Sequence, residues 1–413
     1  MEFAGWVRAG AVKIGDELVK GRRPNSMRSR AGAAVFGALG ALLCLVPSAF
    51  AAGPATAITV QATHSRAVYG SDGREHIDYD LVTANAFTAP VTLKSLHVRG
   101  DGKTLLSLKG NALAAKTFPS LGSTTPTTVI PISSTVVSFI DVALPRSAGR
   151  TPPKRLTNRL RYSLPSTAPL GAAIGSKLVR LPLRTDPIRP LPIGSPLRGS
   201  GWFAANGCCA DPTSPHRSIL VPGNGAYATP EIFAIDWIRV VNGFYFHGDG
   251  SQVTDWRDYG AHVHAVADGT VVRAVNDRPE VPPFVTSEGN PTVRKPADFA
   301  GNNVVERIAP HRYAIYAHMQ PGSVRVKRGQ HLKTGRWIGL LGNSGNTTAP
   351  HLHFGIYDGR SPLTSNSVPF AIKRYRFEGN AGGNTPGQIT LTGKPRPERR
   401  SQPLIGAVTK FPR

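Results

Sequence analysis

Residues 342–354 read GNSGNTTAPHLHF. In an extended chain residues i and i+2 share a face, so His351 and His353 project together while Leu352 turns inward. Two imidazoles side by side suit one metal ligand and one acid/base group, and a plain surface pair is the other reading. The glycine turns around the pair favour the first.

Working outward, RYAIYAH (312–318) alternates, placing Tyr316 and His318 on one face and Ile315 with Ala317 on the other. Glycines at 329, 335, 339 and 342 punctuate short strands, as in the tight hairpins of a small all-β domain. YGAHVHAVADGTVV (259–272) reads as strand, turn, strand. FAIDW (233–237) sets one acid in an apolar strand, which is costly unless the carboxylate binds a cation or is hydrogen-bonded. Nine of the twelve histidines fall between His216 and His353.

Taken in order, Ala-Ile-Asp-Trp, Ala-Asp-Gly-Thr-Val, Tyr-Ala-His, Gly-Asn-Ser-Gly-Asn and His-Leu-His-Phe resemble the lysostaphin-type zinc endopeptidases, which cut peptide cross-links of bacterial peptidoglycan. The resemblance covers roughly residues 200–370. It implies a small antiparallel β-sheet peptidase domain of the duplicated-hybrid-motif kind, with zinc (Zn2+) as cofactor. It also implies Asp236 and His353 as metal ligands and His318 and His351 as catalytic histidines. The family's first ligand histidine stands four positions before the aspartate, and that position here is Ile232. The nearest histidine upstream is His216, in SPHR (214–217). Ligands must converge in space and not in sequence, so a loop over 217–232 returning His216 to the site completes a two-His, one-Asp set with an open position. If His216 does not converge, the alternative is a non-catalytic, peptidase-like wall-binding or regulatory protein. His262 and His264 also share a strand face, but the family has no ligand there, and we read them as a groove or surface feature. Residues 277–300, rich in Pro and Gly, read as a wall or lid of the substrate groove.

The fold expected is mainly β, an N-terminal β-sandwich-like domain followed by this peptidase domain. Short β-branched runs at 58–60, 77–81, 91–93, 105–108 and 136–144, separated by turns such as Gly70-Ser-Asp-Gly73, define a sandwich over residues 52–144. Ten prolines within 145–200 mark residues 145–198 as a connecting region and linker. The peptidase domain is expected over 199–375, and 376–413 as a basic, partly extended tail.

Residues 27–52 read MRSRAGAAVFGALGALLCLVPSAFAA: a basic start, sixteen apolar residues and Ala49-Phe50-Ala51. This is the pattern of an export signal cleaved after Ala51, with Met27 as the start, and the apolar run is shorter than the ~20 residues that span a bilayer. Residues 1–51 are therefore read as leader and signal peptide, and the protein as periplasmic or as extracellular and associated with the cell wall. The chain of 413 residues carries 49 Lys+Arg against 25 Asp+Glu, a net +24. Removing residues 1–51 takes away seven basic and three acidic residues and leaves +20. That excess favours a polyanionic partner, here the anionic envelope surface beside the peptidoglycan substrate. No basic–aromatic interleaving or DNA-reading helix supports nucleic acid. Of three cysteines, only the adjacent Cys208 and Cys209 remain after cleavage: free thiols, a vicinal disulfide, or half of a metal site.

Overall fold

The computed structural model describes residues 55–413 apart from 120–122, 124, 146–150, 210, 212–213, 224, 287–288 and 383–387. The leader expected over 1–51 lies outside the described residues. Among the described residues no helix is long and apolar enough to cross a membrane.

Alternating apolar residues in the first half of the chain build two sheets on one core. One runs β1 (Ile58–Ala62), β3 (Arg74–Asn85), β8 (Thr135–Pro145), β6 (Thr117–Pro119), with β2 (Arg66–Tyr69) also paired to β3. The other runs β10 (Leu178–Arg184), β9 (Arg155–Ser163), β4 (Val91–Gly100), β5 (Lys103–Lys109), with β7 (Val129–Ile130) on β4. Ile77, Tyr79 and Leu81 of β3 meet Leu93, Leu96, Leu156 and Leu160 from the other sheet in the shared core. The stretch 145–198, expected as a connection, therefore supplies β9 and β10. Its strands alternate Arg with Leu, and the prolines sit mainly between them, so the period-two signal was hidden by composition.

The second half builds a 12-stranded sheet. Its path is β20 (His331–Leu332), β17 (Gly269–Val275), β18 (Asn302–Ala309), β19 (Arg312–Met319), β22 (Leu352–Tyr357), β15 (Ile235–Arg239), β12 (Gly199–Asn206), β28 (Ala407–Phe411), β25 (Tyr375–Gly382), β26 (Thr390–Thr392). Short strands β23 (Ser367–Val368) and β27 (Arg396–Glu398) extend it. Three two-stranded pairs complete the domain: β11 (Leu191–Ile193) with β24 (Phe370–Ile372), β13 (Val221–Gly223) with β14 (Ala226–Ala228), and β16 (His262–His264) with β21 (Trp337–Leu340). Residues 376–413 are not a tail. β28 enters the sheet between β12 and β25, and Ala407, Val408 and Phe411 are buried. Four apolar or small residues around Lys410 sufficed for a strand where the surrounding charge suggested open chain.

The two halves share a packed seam. Val68 meets Cys208, Cys209, Ile232, Phe233 and Leu404, while Val82, Phe118, Val137 and Phe139 meet Leu220. Arg66, 3% exposed, reaches Asp186, Asp358 and the carbonyl of Ser367. Of the three readings of the cysteine pair, the disulfide between Cys208 and Cys209 is the one present. Because the second domain covers one face of β3, Asp78 and Asp80 are fully buried although they alternate with core residues as surface acids would.

Candidate metal centre

Strand register puts the site together. Across β12, β15, β22 and β19, Asn206 lies opposite Asp236, Asp236 opposite His353, and His353 opposite Ala317. Leu352, Phe354 and Ile356 of β22 enter the core, so His353, Gly355 and Tyr357 share the other face. His216 arrives from the short helix Pro215–Ser218. His318, next to last in β19, has φ of 63°, a left-handed conformation that is strained for a non-glycine residue. This break in alternation separates His318 from Tyr316, which is buried in the core and bonded to Glu306 and Val266. The expectation that the two present one working face is corrected accordingly.

The glycine turn is needed for close approach. Gly345 has φ of 83°, and a Cβ there would lie 2.3 Å from the nitrogen of Gly301. This contact brings the Ser344 carbonyl to His318.

Three imidazoles are tethered through Nδ1 to backbone carbonyls: His216 to Ala234 at 3.1 Å, His318 to Ser344 at 2.8 Å and His351 to Ala349 at 2.8 Å. Donation from Nδ1–H leaves Nε2 as the working nitrogen of each ring. His216 Nε2 lies 3.0 Å from Asp236 Oδ2, and His351 Nε2 lies 3.4 Å from Asp236 Oδ1. His353 is turned the other way, with Nδ1 2.8 Å from Asp236 Oδ1 and Nε2 2.9 Å from the Tyr357 hydroxyl. Ligand atoms of His216, Asp236 and His353 all lie within 4.8 Å of one another, as do those of His318, His351 and His353. The rings of His318 and His351 are 4.7 Å apart.

Electrostatics divide these groups. Burial alone would raise the Asp236 carboxyl, but the charges of His216 and His351 hold it well below its ordinary value. Burial alone would depress His216, but Asp236, with help from Glu231, brings it up to about 9. His351 is likewise raised against its burial by Asp236. His318 is driven the other way, well below its ordinary value, by burial and by the neighbouring His351 and His353. The site is thus an ionised, buried carboxylate ringed by imidazoles, one of which is held neutral. A buried carboxylate demands a cation, and one carboxylate with two imidazole nitrogens is a donor set for a borderline divalent ion.

All five residues singled out from the sequence, His216, Asp236, His318, His351 and His353, come together here. His262 and His264 do not join them: His262 stacks on Trp337 at 4.2 Å and their strand pairs with β21. Of the stretch 277–300, the described residues Val281 and Asn290 lie against the glycine turn, through Val281 N to Asn343 O and Asn290 Nδ2 to Gly345 O. Sequence reading missed the residues that orient the ligands. Asn206 Nδ2 donates to Asp236 Oδ2 at 2.8 Å. Buried Glu231 stands 3.8 Å from His216 Nε2. Tyr357 could have been found, because it is four residues past His353 on one strand face. Gly355 between them makes room, since a Cβ there would meet the Tyr357 ring at 2.8 Å. Arg217, beside His216, pairs with Asp78 and, at 2.8 Å, with Asp80 of the first domain. Nothing in the local sequence announced that contact.

Residues 254–365 match the family model of peptidase family M23. That stretch is similar to M23 peptidase domains. The matched stretch holds His318, His351 and His353, while His216 and Asp236 precede it. The chain is 34% identical over 92 residues to peptidoglycan DD-endopeptidase ShyA of Vibrio cholerae serotype O1, which is 22% of this chain and 21% of that protein. It is 30% identical over 93 residues to peptidoglycan DD-endopeptidase ShyB of the same organism, 22% and 21% of the two chains. The matched stretch thus spans about a fifth of the length of these relatives. Among solved structures, the catalytic domain of lysostaphin from Staphylococcus simulans is similar at 19% identity, covering 42% of this chain and 88% of that one with a TM-score of 0.21.

Proposed function

We propose that this M23 protein is an exported, zinc-dependent endopeptidase that hydrolyses peptide bonds in the stem peptides or cross-links of peptidoglycan. The observation that carries the proposal is the convergence of His216 Nε2, Asp236 and His353 Nδ1 beside the His318–His351 pair. The names of the M23 relatives support the substrate, and the signal-like residues 27–51 support export.

Zinc bound by His216, Asp236 and His353 would supply a Lewis acid that polarises a carbonyl and acidifies water toward a pKa of ~7. The chain's own groups do the rest. His318, held neutral with Nδ1 committed to Ser344 O, presents Nε2 as the group that takes a proton. His351, its Nδ1 held by Ala349 O beside His318, is placed to relay a proton to the leaving amine or to hydrogen-bond a developing oxyanion. Ala234, Ala349 and Tyr357 fix the rings so that none must reorient during turnover. The +20 charge of the chain after Ala51 keeps it at an anionic envelope surface.

The test is zinc content of the purified protein measured beside clearing of purified sacculi. We expect one zinc per chain and lysis that a chelator stops. His318→Ala is expected to keep zinc and lose about 10²- to 10⁴-fold in rate. Tight sacculus binding with no zinc and no cleavage would instead establish a wall-binding protein.

A further inference from the structure

The two outer faces of the sandwich differ in sign. The face of the first sheet carries Asp78 and Asp80 into the seam with the second domain, whereas the face of the second sheet is basic. On β9, Leu156, Leu160 and Tyr162 enter the core, so Arg155, Arg159 and Arg161 point out. Register brings further cations beside them. Arg180 of β10 and His97 of β4 flank Arg159, Arg184 lies opposite Arg155, and Ser95 stands between Arg161 and Lys109 of β5. Among the described residues none of these five arginines is held in an ion pair. Burial together with the charges of Lys109, Arg159 and Arg161 lowers the pKa of His97, in keeping with the cations gathered around it. A cavity of about 390 Å³ opens on this face between Arg99, Arg155, Arg159 and Arg180, and Asp101 is the one acid lining it.

Like charges directly opposite one another on paired strands are destabilising. The Arg159–Arg180 and Arg155–Arg184 pairs therefore ask for an anionic partner. We propose that the outer face of the β10-β9-β4-β5 sheet is a docking surface for a linear polymer with phosphate in each repeat. Arginine predominates over lysine on it, and the guanidinium fork grips phosphate oxygens in pairs. Cations ~5 Å apart across strands and ~7–13 Å apart along them match many anions on one chain and not a single ion. The outward positions of these strands hold no Phe, Tyr or Trp on which a base could stack, which separates this partner from single-stranded nucleic acid. The inference does not depend on the peptidase reading.

Long-chain inorganic polyphosphate is the probe, titrated against the full chain over a range of salt. We expect Arg159→Gln/Arg161→Gln/Arg180→Gln to lose at least tenfold in affinity at ~0.15 M salt, with the slope of log K on log salt shallower by about 2. An equal charge loss on the other domain, Arg307→Gln/Lys327→Gln/Arg328→Gln, should cost under about twofold, and polyglutamate should bind at least tenfold more weakly. Melting midpoints within a degree or two of wild type verify both folds. If the first triple misfolds, Arg161→Gln alone should still flatten the slope by about 0.7. Equal losses in the two triples, an unchanged slope, or tighter binding to single-stranded DNA or to anionic vesicles than to polyphosphate would overturn the proposal.

Discussion

His216 turns toward Asp236 and the His353 ring, while the next residue, Arg217, turns toward Asp78 and Asp80. Both clusters are buried, and both neutralise carboxylates. They differ in what supplies the positive charge. At Asp236 the cation is a set of protons on histidines, which a metal ion can replace. At Asp78 and Asp80 it is a guanidinium that never gives up its proton. One cluster is exchangeable and suits a site; the other is permanent and suits a joint. Since they sit on consecutive residues, the first domain's acids help hold the segment that carries His216.

The comparison breaks most visibly at Arg217. Arg217→Ala leaves two carboxylates buried without their cation and is expected to destabilise the protein by about 3–5 kcal/mol, read from denaturant unfolding. Arg217→Ala/Asp78→Asn/Asp80→Asn removes the charges together and should recover much of that stability. Zinc affinity should stay reduced in the triple variant if the pair positions His216, and return to wild type if it only joins the domains.

A smaller effect is expected at the outer partner of His353. Tyr357→Phe keeps the ring and removes the hydroxyl on Nε2, so zinc affinity should fall about 10- to 100-fold with little change in melting midpoint. An unchanged affinity would mean that the strand alone orients His353.

The smallest effect lies in the first domain. Burial would depress His76, but Asp141 and Asp72 hydrogen-bond it and raise it to about 9. A histidine raised in the folded state stabilises fully below its unfolded value near 6.5 and loses that contribution as pH rises through about 9. With Asp72 partly exposed, we expect about 1–2 kcal/mol to disappear across this window. His76→Gln should flatten that part of the stability–pH curve, and a curve unchanged by the substitution would contradict the pairing.

What could be read from the chain follows from range. Alternation placed Asp236 and His353 on strands because their neighbours on the strand are apolar, and i, i+2 spacing paired His351 with His353. Composition misled at β9 and β10, where Arg-rich sequence still alternates, and at β28, where tertiary pairing outweighs the charge of the flanking chain. The Arg217 cluster was invisible, since Asp78 and Asp80 become buried only when a second domain covers β3. The left-handed turn at His318 was invisible too, because a tight approach between residues 299–301 and 344–345 imposes it.

The proposed centre stands or falls with His216, the candidate ligand from outside the usual spacing. The direct test is zinc stoichiometry and affinity of His216→Ala beside wild type and His262→Ala, each confirmed folded by melting. Wild type and His262→Ala should hold one zinc per chain, and His216→Ala should lose it or bind at least a hundredfold more weakly. Stoichiometric, equally tight zinc in His216→Ala would contradict the assignment.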